Sequence, residues 1–276
     1  MKVTIFGNTR HTIKILQSLS SWKLEVISTV STDDELEQYC RKHEIPISNY
    51  SKSLNFRDSE LVLLFECHKI IPEIQFTQGL WLNLHSGLLP KWRGYSANSW
   101  ALMNEEPLLG FTLHEVESEF DSGKIVFYWK RENILSKNYQ QIFSELLEDI
   151  TVSLMKVLNA YLEGSLVTPS PIYPNNEIFY CSKLTKRDGL IDDFNLSNQW
   201  IQNLGRLFIR IEDSDFRIKL RQKIFRVYNV EKTTGKYLGF PGKVLRIAGN
   251  QYLIKTADGA LWFTIDEDYA FNREPK

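Results

Sequence analysis

Apolar positions repeat along this chain with two different periods, and the alternation between them predicts most of its elements. Residues 3–6 form a short apolar run that ends at Gly7. The polar stretch behind it carries Ile13, Ile15, Leu16 and Leu19 at helical spacing, so the chain opens strand–turn–helix. A second strand fits 24–30, and Asp33 or Asp34 can cap a helix running to about Lys42. Strands follow at 61–65 and 80–85, with a helix at 97–104. Two further β segments, 110–116 and 124–129, flank a loop at 117–122, and a long amphipathic helix fits 139–162. Strands alternating with helices predict a twisted, mainly parallel α/β sheet of Rossmann-like type, with six strands expected. A ligand should then lie beyond the carboxyl ends of the strands, where His85 sits.

The pattern changes after residue 163. Thr168-Pro169-Ser170-Pro171 and Pro174-Asn175-Asn176 read as linker. One more helix fits 197–208, and beyond it the chain is β-rich at 216–230, 242–248, 251–256 and 260–265. Gly249-Asn250 and Ala257-Asp258-Gly259 are hairpin signals. Short strands at this density suggest a small barrel of the oligonucleotide-binding (OB-like) type. The expected organisation is a catalytic α/β domain over 1–175 and a smaller β-rich domain over 176–276.

Composition narrows the picture. Of 276 residues, 43% are hydrophobic and 24% charged, as in an ordinary folded protein. No apolar run reaches the ~18 residues of a membrane helix, and the N-terminal apolar stretch is too short for a signal peptide, so a cytoplasmic location is expected. Cys40, Cys67 and Cys181 are scattered and odd in number, which argues for reduced thiols. No H-x-x-x-H pair occurs among the five histidines, and no metal is expected. Residues 1–175 hold 16 Lys+Arg against 21 Asp+Glu, a net −5; residues 176–276 hold 17 against 13, a net +4. A nucleic-acid binder would be more lopsided. The run Arg217, Lys219, Arg221 and Lys223 would place four cations on one face of a strand. That is a nucleic-acid feature, but also a way of protecting an edge strand, and the acidic remainder favours the second reading. The first turn, G-N-T-R-H, lacks the G-x-G-x-x-G dinucleotide fingerprint.

The densest chemical cluster is N-L-H-S-G-L-L-P-K-W-R-G at 83–94. Asn83 and His85 stand two apart on a strand, so they share a face, roughly 7 Å apart at the usual rise per residue. One substrate carbonyl could touch both. The second cluster is Glu119-Phe120-Asp121-Ser122-Gly123-Lys124-Ile125. A carboxylate brought beside a histidine raises its pKa and fixes its tautomer. Each piece alone also occurs as plain structure: a histidine at a strand end, an Asp-Ser-Gly turn.

Taken together, the 83–94 segment, A-L-M-N-E-E-P-L-L-G-F-T-L-H at 101–114 and D-S-G-K-I at 121–125 resemble the formyltransferase family that uses 10-formyltetrahydrofolate. Its members act on glycinamide ribonucleotide, methionyl-tRNA or nucleotide-linked amino sugars. The likeness continues into K-L-T-K-R-D-G-L-I-D at 183–192, similar to the opening of the C-terminal region in the tRNA and sugar enzymes, and into Gly242-Lys243-Val244 and Asp258-Gly259. The resemblance implies a catalytic trio of Asn83, His85 and Asp121. A neutral amine attacks the formyl carbon through a tetrahedral oxyanion. The amine has a pKa of roughly 8 by analogy with an α-amino group, so a base working near neutrality suits it. His85 fits the base, Asn83 and protonated His85 the oxyanion stabilisers, and Asp121 the group that orients His85.

For the acceptor, the tRNA enzymes typically carry Ser where this chain has Gly87, and the sugar enzymes often carry Gly. The basic loop inserted in the first domain of the tRNA enzymes is not found here. The expectation is therefore an amino-dideoxy sugar linked to a nucleotide, dTDP above all, with methionyl-tRNA as the alternative. A folate deformylase and a non-catalytic sugar-nucleotide binder are further readings. Lys69, behind the third predicted strand, and Arg93 are candidates for the acceptor's diphosphate. Some relatives in the family dimerise, so a homodimer is a further expectation.

Overall fold

The computed structural model describes all residues except 31, 53, 55, 57, 68, 77, 78, 174–176, 210–213 and 272–276, and the side chains of 74, 75 and 267–271. His68 and the second half of the expected linker, 174–176, lie outside the described residues. The chain forms two compact units. The first holds Met1–Ala101, Leu108–Glu132 and Phe143–Ser182; the second holds Leu102–Pro107, Asn133–Ile142 and Lys183–Lys276.

In the first unit, β1 (Lys2–Phe6), α1 (His11–Ser18), β2 (Lys23–Ser28), α2 (Asp34–Lys42) and β3 (Ile47–Asn49) come first. They are followed by β4 (Leu61–Phe65), α3 (Glu73–Phe76), β5 (Leu80–His85), β6 (Trp92–Gly94) and α4 (Ala97–Met103). The hairpin of β7 (Leu108–Glu115) and β8 (Ile125–Glu132), helix α5 (Tyr139–Leu162) and β9 (Phe179–Cys181) complete the list. Seven strands, one more than expected, lie in the order β3-β2-β1-β4-β5-β7-β8. The first five run parallel; β7 and β8 are antiparallel. β4 reads Leu-Val-Leu-Leu-Phe with every residue buried, as a parallel strand covered on both faces must. Phe6, Phe56, Val62, Leu64 and Trp81 form an aromatic-rich core cluster, with Phe56 edge-on to Trp81 at 5.2 Å. Asp33 caps α2 by accepting from the Glu35 amide, as its sequence suggested.

The second unit is β-rich. β10 (Leu190–Ile191), α6 (Asn198–Phe208), β11 (Arg217–Leu220), β12 (Lys223–Lys232), β13 (Val244–Ala248), β14 (Gln251–Lys255) and β15 (Ala260–Phe271) supply one helix and six strands. The strands lie in the order β10-β11-β12-β15-β14-β13, antiparallel except for the β10–β11 pair. The expected single strand over 216–230 is in fact a hairpin. Arg221 turns the chain with φ 57°, so Lys219 pairs with Ile224 and Arg217 with Arg226. The four-cation stripe is thereby divided between two strands and a turn. No helix of the described residues is long and apolar enough to cross a membrane.

Candidate active site

β5 carries Asn83 and His85 between two different neighbours. On one side it runs parallel to β4; on the other it pairs antiparallel with β7, placing Asn83 opposite His114 and His85 opposite Thr112. The β7–β8 hairpin then brings Asp121 back to the same place. Its turn needs Gly123, where a Cβ would stand 1.8 Å from the Glu115 carbonyl oxygen. Asp121 itself takes a left-handed φ of 51°.

The loop behind β5 is pinned from several directions. Thr112 donates to the Gly87 carbonyl at 2.6 Å and accepts from the Leu89 amide at 3.1 Å. Asn98, fully buried, donates to Ser86 Oγ and to the Gly110 carbonyl and accepts from the Gly110 amide. Tyr128 donates to the Leu89 carbonyl at 2.7 Å. Gly87 has no room for a side chain: a Cβ would lie 2.7 Å from His85 Nε2, 2.7 Å from Ala97 Cβ and 2.9 Å from the Trp92 oxygen.

This scaffold brings Asn83, His85 and Asp121 together. His85 Nε2 lies 2.8 Å from the Trp92 carbonyl. A carbonyl only accepts, so Nε2 carries the hydrogen and Nδ1 keeps the lone pair. That Nδ1 stands 3.5 Å from Asp121 Oδ2. The same Oδ2 accepts the Gly94 amide at 2.7 Å. Asn83 Nδ2 donates to Asp121 Oδ1 at 3.3 Å and lies 3.1 Å from His114 Nε2. His114 Nδ1 donates to the Glu115 carbonyl at 2.7 Å, so its Nε2 is free to accept from Asn83. His114 was missed in the sequence. Its signal was the histidine that closes the G-F-T-L-H segment, and only the β5–β7 register gives it meaning.

Burial pushes the His85 imidazole below its ordinary value, assisted by His114, although Asp121 and the Trp92 carbonyl pull upward. The net direction is therefore opposite to the rise expected from a carboxylate neighbour alone, because desolvation is the larger cause. Burial acts upward on Asp121, but His85, the His114 ring and the Gly94 amide together hold it down at about 2. At neutral pH the site thus holds a neutral imidazole against an ionised carboxylate. Burial raises all three cysteine thiols, Cys40 and Cys181 to about 11, so none is a ready thiolate.

The two remaining candidates fall elsewhere. Lys69 is exposed in the loop behind β4. Arg93 is buried, and its guanidinium donates to Glu119 at 2.6 Å and to the Tyr180 hydroxyl at 3.5 Å. Any role on a diphosphate would require breaking that ion pair. Around the trio the rim is aromatic and open: Tyr180, Phe120 and Tyr95 are all exposed. Among the described residues, no group of three or more His, Cys, Asp and Glu side chains could hold a metal ion.

Residues 1–156 match the family model described as Formyl transferase. A methionyl-tRNA formyltransferase of Thermodesulfovibrio yellowstonii is 27% identical over 231 residues, covering 80% of this chain and 70% of the relative. Among solved structures, the N-formyltransferase from Helicobacter canadensis, in complex with folinic acid and dTDP-3-aminofucose, superposes with a TM-score of 0.71 at 16% identity, covering 96% of this chain and 99% of that one. HypX from Aquifex aeolicus, in complex with tetrahydrofolic acid, gives a TM-score of 0.60 at 20% identity over 96% of this chain. This chain spans only 43% of HypX. With more than half of its length matched by the family model, the chain belongs to the formyl transferase family and is a folate-dependent formyl-transferring enzyme that draws on 10-formyltetrahydrofolate.

Proposed function

We propose that the formyl group passes to the amine of a nucleotide-linked amino-dideoxy sugar, with dTDP as the nucleotide. One observation carries this reading: the match to the Helicobacter canadensis N-formyltransferase is coextensive, spanning nearly all of both chains. The missing side chain at Gly87 and the exposed aromatic rim, which offers flat faces to a nucleobase or a pterin, support it.

In the proposed mechanism the acceptor amine attacks the formyl carbon, and the carbonyl oxygen becomes an oxyanion. His85 Nδ1, the ring nitrogen with a free lone pair, takes the amine proton. Asp121, 3.5 Å away and ionised, stabilises the imidazolium that results. The intermediate collapses by breaking the bond between the formyl carbon and the folate nitrogen, which leaves with a proton returned from His85. Both amide hydrogens of Asn83 face Asp121 and His114, so stabilising the oxyanion requires it to exchange one of those partners for the substrate. Lys69 is the proposed contact for the acceptor's diphosphate.

A second reading, transfer to methionyl-tRNA, is favoured by the name of the Thermodesulfovibrio relative. Incubation with 10-formyltetrahydrofolate and a panel of dTDP- and UDP-amino sugars, beside charged initiator tRNA, separates the two. Formylated sugar is expected. Turnover of the tRNA with no sugar accepted overturns the proposal.

A further inference from the structure

Strand β6 has two hydrogen-bonding edges, and they hold different things. Residues 91 and 95 face β9: the Lys91 carbonyl accepts from the Phe179 amide at 2.7 Å, and the Tyr95 amide donates to the Cys181 carbonyl at 3.1 Å. Residues 92 and 94 face the other way, as alternation along a strand requires. There the Trp92 carbonyl takes the His85 Nε2 hydrogen at 2.8 Å, and the Gly94 amide donates to Asp121 Oδ2 at 2.7 Å. One three-residue segment therefore grips both the histidine and the carboxylate of the trio, and Arg93 is the residue between the two grips.

The side chain of Arg93 reaches the turn that carries Asp121. Its guanidinium donates to Glu119 Oε1 at 2.6 Å, the Tyr180 hydroxyl donates to the same oxygen at 3.1 Å, and the guanidinium carbon lies 5.8 Å from the centre of the Tyr180 ring. The Glu119 carbonyl accepts from Ser122 Oγ at 2.9 Å, which closes a turn with Asp121 inside it. One carboxylate oxygen thus joins β6, β9 and the 119–122 turn. The Arg93 side chain is 9% exposed and that of Glu119 62%, so the pair runs from the interior to the rim. An ion pair with one exposed member contributes little to global stability. Its effect on position is larger, because His85 Nδ1 and Asp121 Oδ2 already stand 3.5 Å apart and a small shift of the turn takes the carboxylate out of contact.

We propose that Arg93 and Glu119 are positioning residues for formyl transfer: their ion pair, braced by Tyr180, sets the place of Asp121 against His85. The proposal rests on the roles given above to His85 and Asp121. Glu119→Ala is expected to lower kcat about tenfold or more with KM for the folate nearly unchanged, since misplacement by about an ångström costs up to about 10²-fold. The acid limb of kcat/KM should move to lower pH, in the same direction as in Asp121→Asn, because a receding carboxylate pulls the imidazole upward less. Glu119→Gln still accepts from Arg93 through its amide oxygen and should recover most of the turnover and restore the limb. Arg93→Met keeps a buried stem and should resemble Glu119→Ala, with the double variant losing no more than the worse single one. Melting curves establish that each variant is folded, and the exposed Glu119 keeps the test intact where Arg93→Met does not fold. Parent-like kcat in Glu119→Ala, a loss of kcat with an unmoved acid limb, or losses that multiply in the double variant each overturn the proposal. An inactive His85→Asn beside a parent-like Glu119→Ala would sink this proposal alone; a fully active His85→Asn would sink the reading of the centre on which it rests.

Discussion

Two histidine–carboxylate pairs stand at the carboxyl ends of the parallel sheet, and they differ in an instructive way. His11 Nδ1 lies 3.2 Å from Glu66 Oε1; His85 Nδ1 lies 3.5 Å from Asp121 Oδ2. The closer pair is the ordinary one. Its side chains are 38% and 23% exposed, against 7% and 11% for the other. Glu66 spends its second oxygen on Thr9, and its carbonyl accepts from Asn8, so the pair ties the loop behind β1 to the loop behind β4. His85 and Asp121 instead have a fixed tautomer, a backbone amide on the carboxylate and a third histidine behind them. Proximity alone does not make an acid–base pair; desolvation and a locked proton do. The Trp92 carbonyl of β6 locks the proton, and the β7–β8 hairpin, which pairs with β5 rather than β4, brings the buried carboxylate.

The sharpest way to break this comparison is to delete each histidine. His85→Asn removes the proposed proton acceptor and is expected to lower kcat by about 10²–10⁴-fold. His11→Asn removes one partner of a partly exposed pair and is expected to change kcat by less than about fivefold. Steady-state kinetics with 10-formyltetrahydrofolate and the accepted amine reads both. Equal losses would mean that burial does not distinguish the pairs.

Gly87→Ser attacks the locked proton without replacing a reacting group. The new Cβ would meet His85 Nε2 and the Trp92 oxygen, the two atoms of the bond that fixes the tautomer. A ring displaced by about an ångström costs on the order of 10²-fold in kcat. A variant as active as the parent would show that the loop yields and that the close packing at Gly87 is not what holds His85.

Much of this was readable beforehand, for identifiable reasons. Residues 80–85 and 139–162 were bounded correctly because period and length agree there. Asn83 and His85 share a face by strand geometry alone. Asp121 was found through the Asp-Ser-Gly turn and its resemblance to a family pattern. His114 was not, because its role exists only through the antiparallel pairing of two positions 31 residues apart in the chain, Asn83 and His114, which no local pattern encodes. The hairpin at Arg221 was missed because a non-glycine residue takes the left-handed conformation where an Asn-Gly or Asp-Gly signal is usually sought. The sign of the His85 shift was misjudged because sequence reveals a neighbour's charge but not how deeply both are buried.

That sign has a measurable consequence. With His85 below its ordinary 6.5, the acid limb of kcat/KM is expected to fall below pH 6.5, and Asp121→Asn, which removes an upward pull, should move it lower still while slowing turnover. The stability profile carries two windows. His85 binds its proton more weakly when folded, so its contribution is present above the unfolded value and is lost as pH falls below about 6.5. Asp121, at about 2 folded against 3.8 as its ordinary value, contributes fully above 3.8 and loses that contribution as pH falls toward 2. Melting temperature against pH should show both, and the lower window should vanish in Asp121→Asn. An acid limb above 6.5 would mean that the carboxylate outweighs burial and that desolvation does not set the His85–Asp121 pair apart.

The smallest expected effect concerns His114, which reaches the chemistry only through Asn83 and Asp121. Its Nδ1 hydrogen is held by the Glu115 carbonyl, so Nε2 offers one lone pair in one direction and sets which end of the Asn83 amide faces it. His114→Leu removes that acceptor and leaves Asn83 free to turn over. The expected result is about a tenfold drop in kcat, or ~1.4 kcal/mol, with KM for the folate nearly unchanged. His114→Gln can still accept through its amide oxygen and should recover most of the loss. If the two variants fall equally and in step with their melting temperatures, His114 is packing. If glutamine rescues turnover at matched stability, the difference between the two histidine–carboxylate pairs extends one residue further, to the group that orients the amide between them.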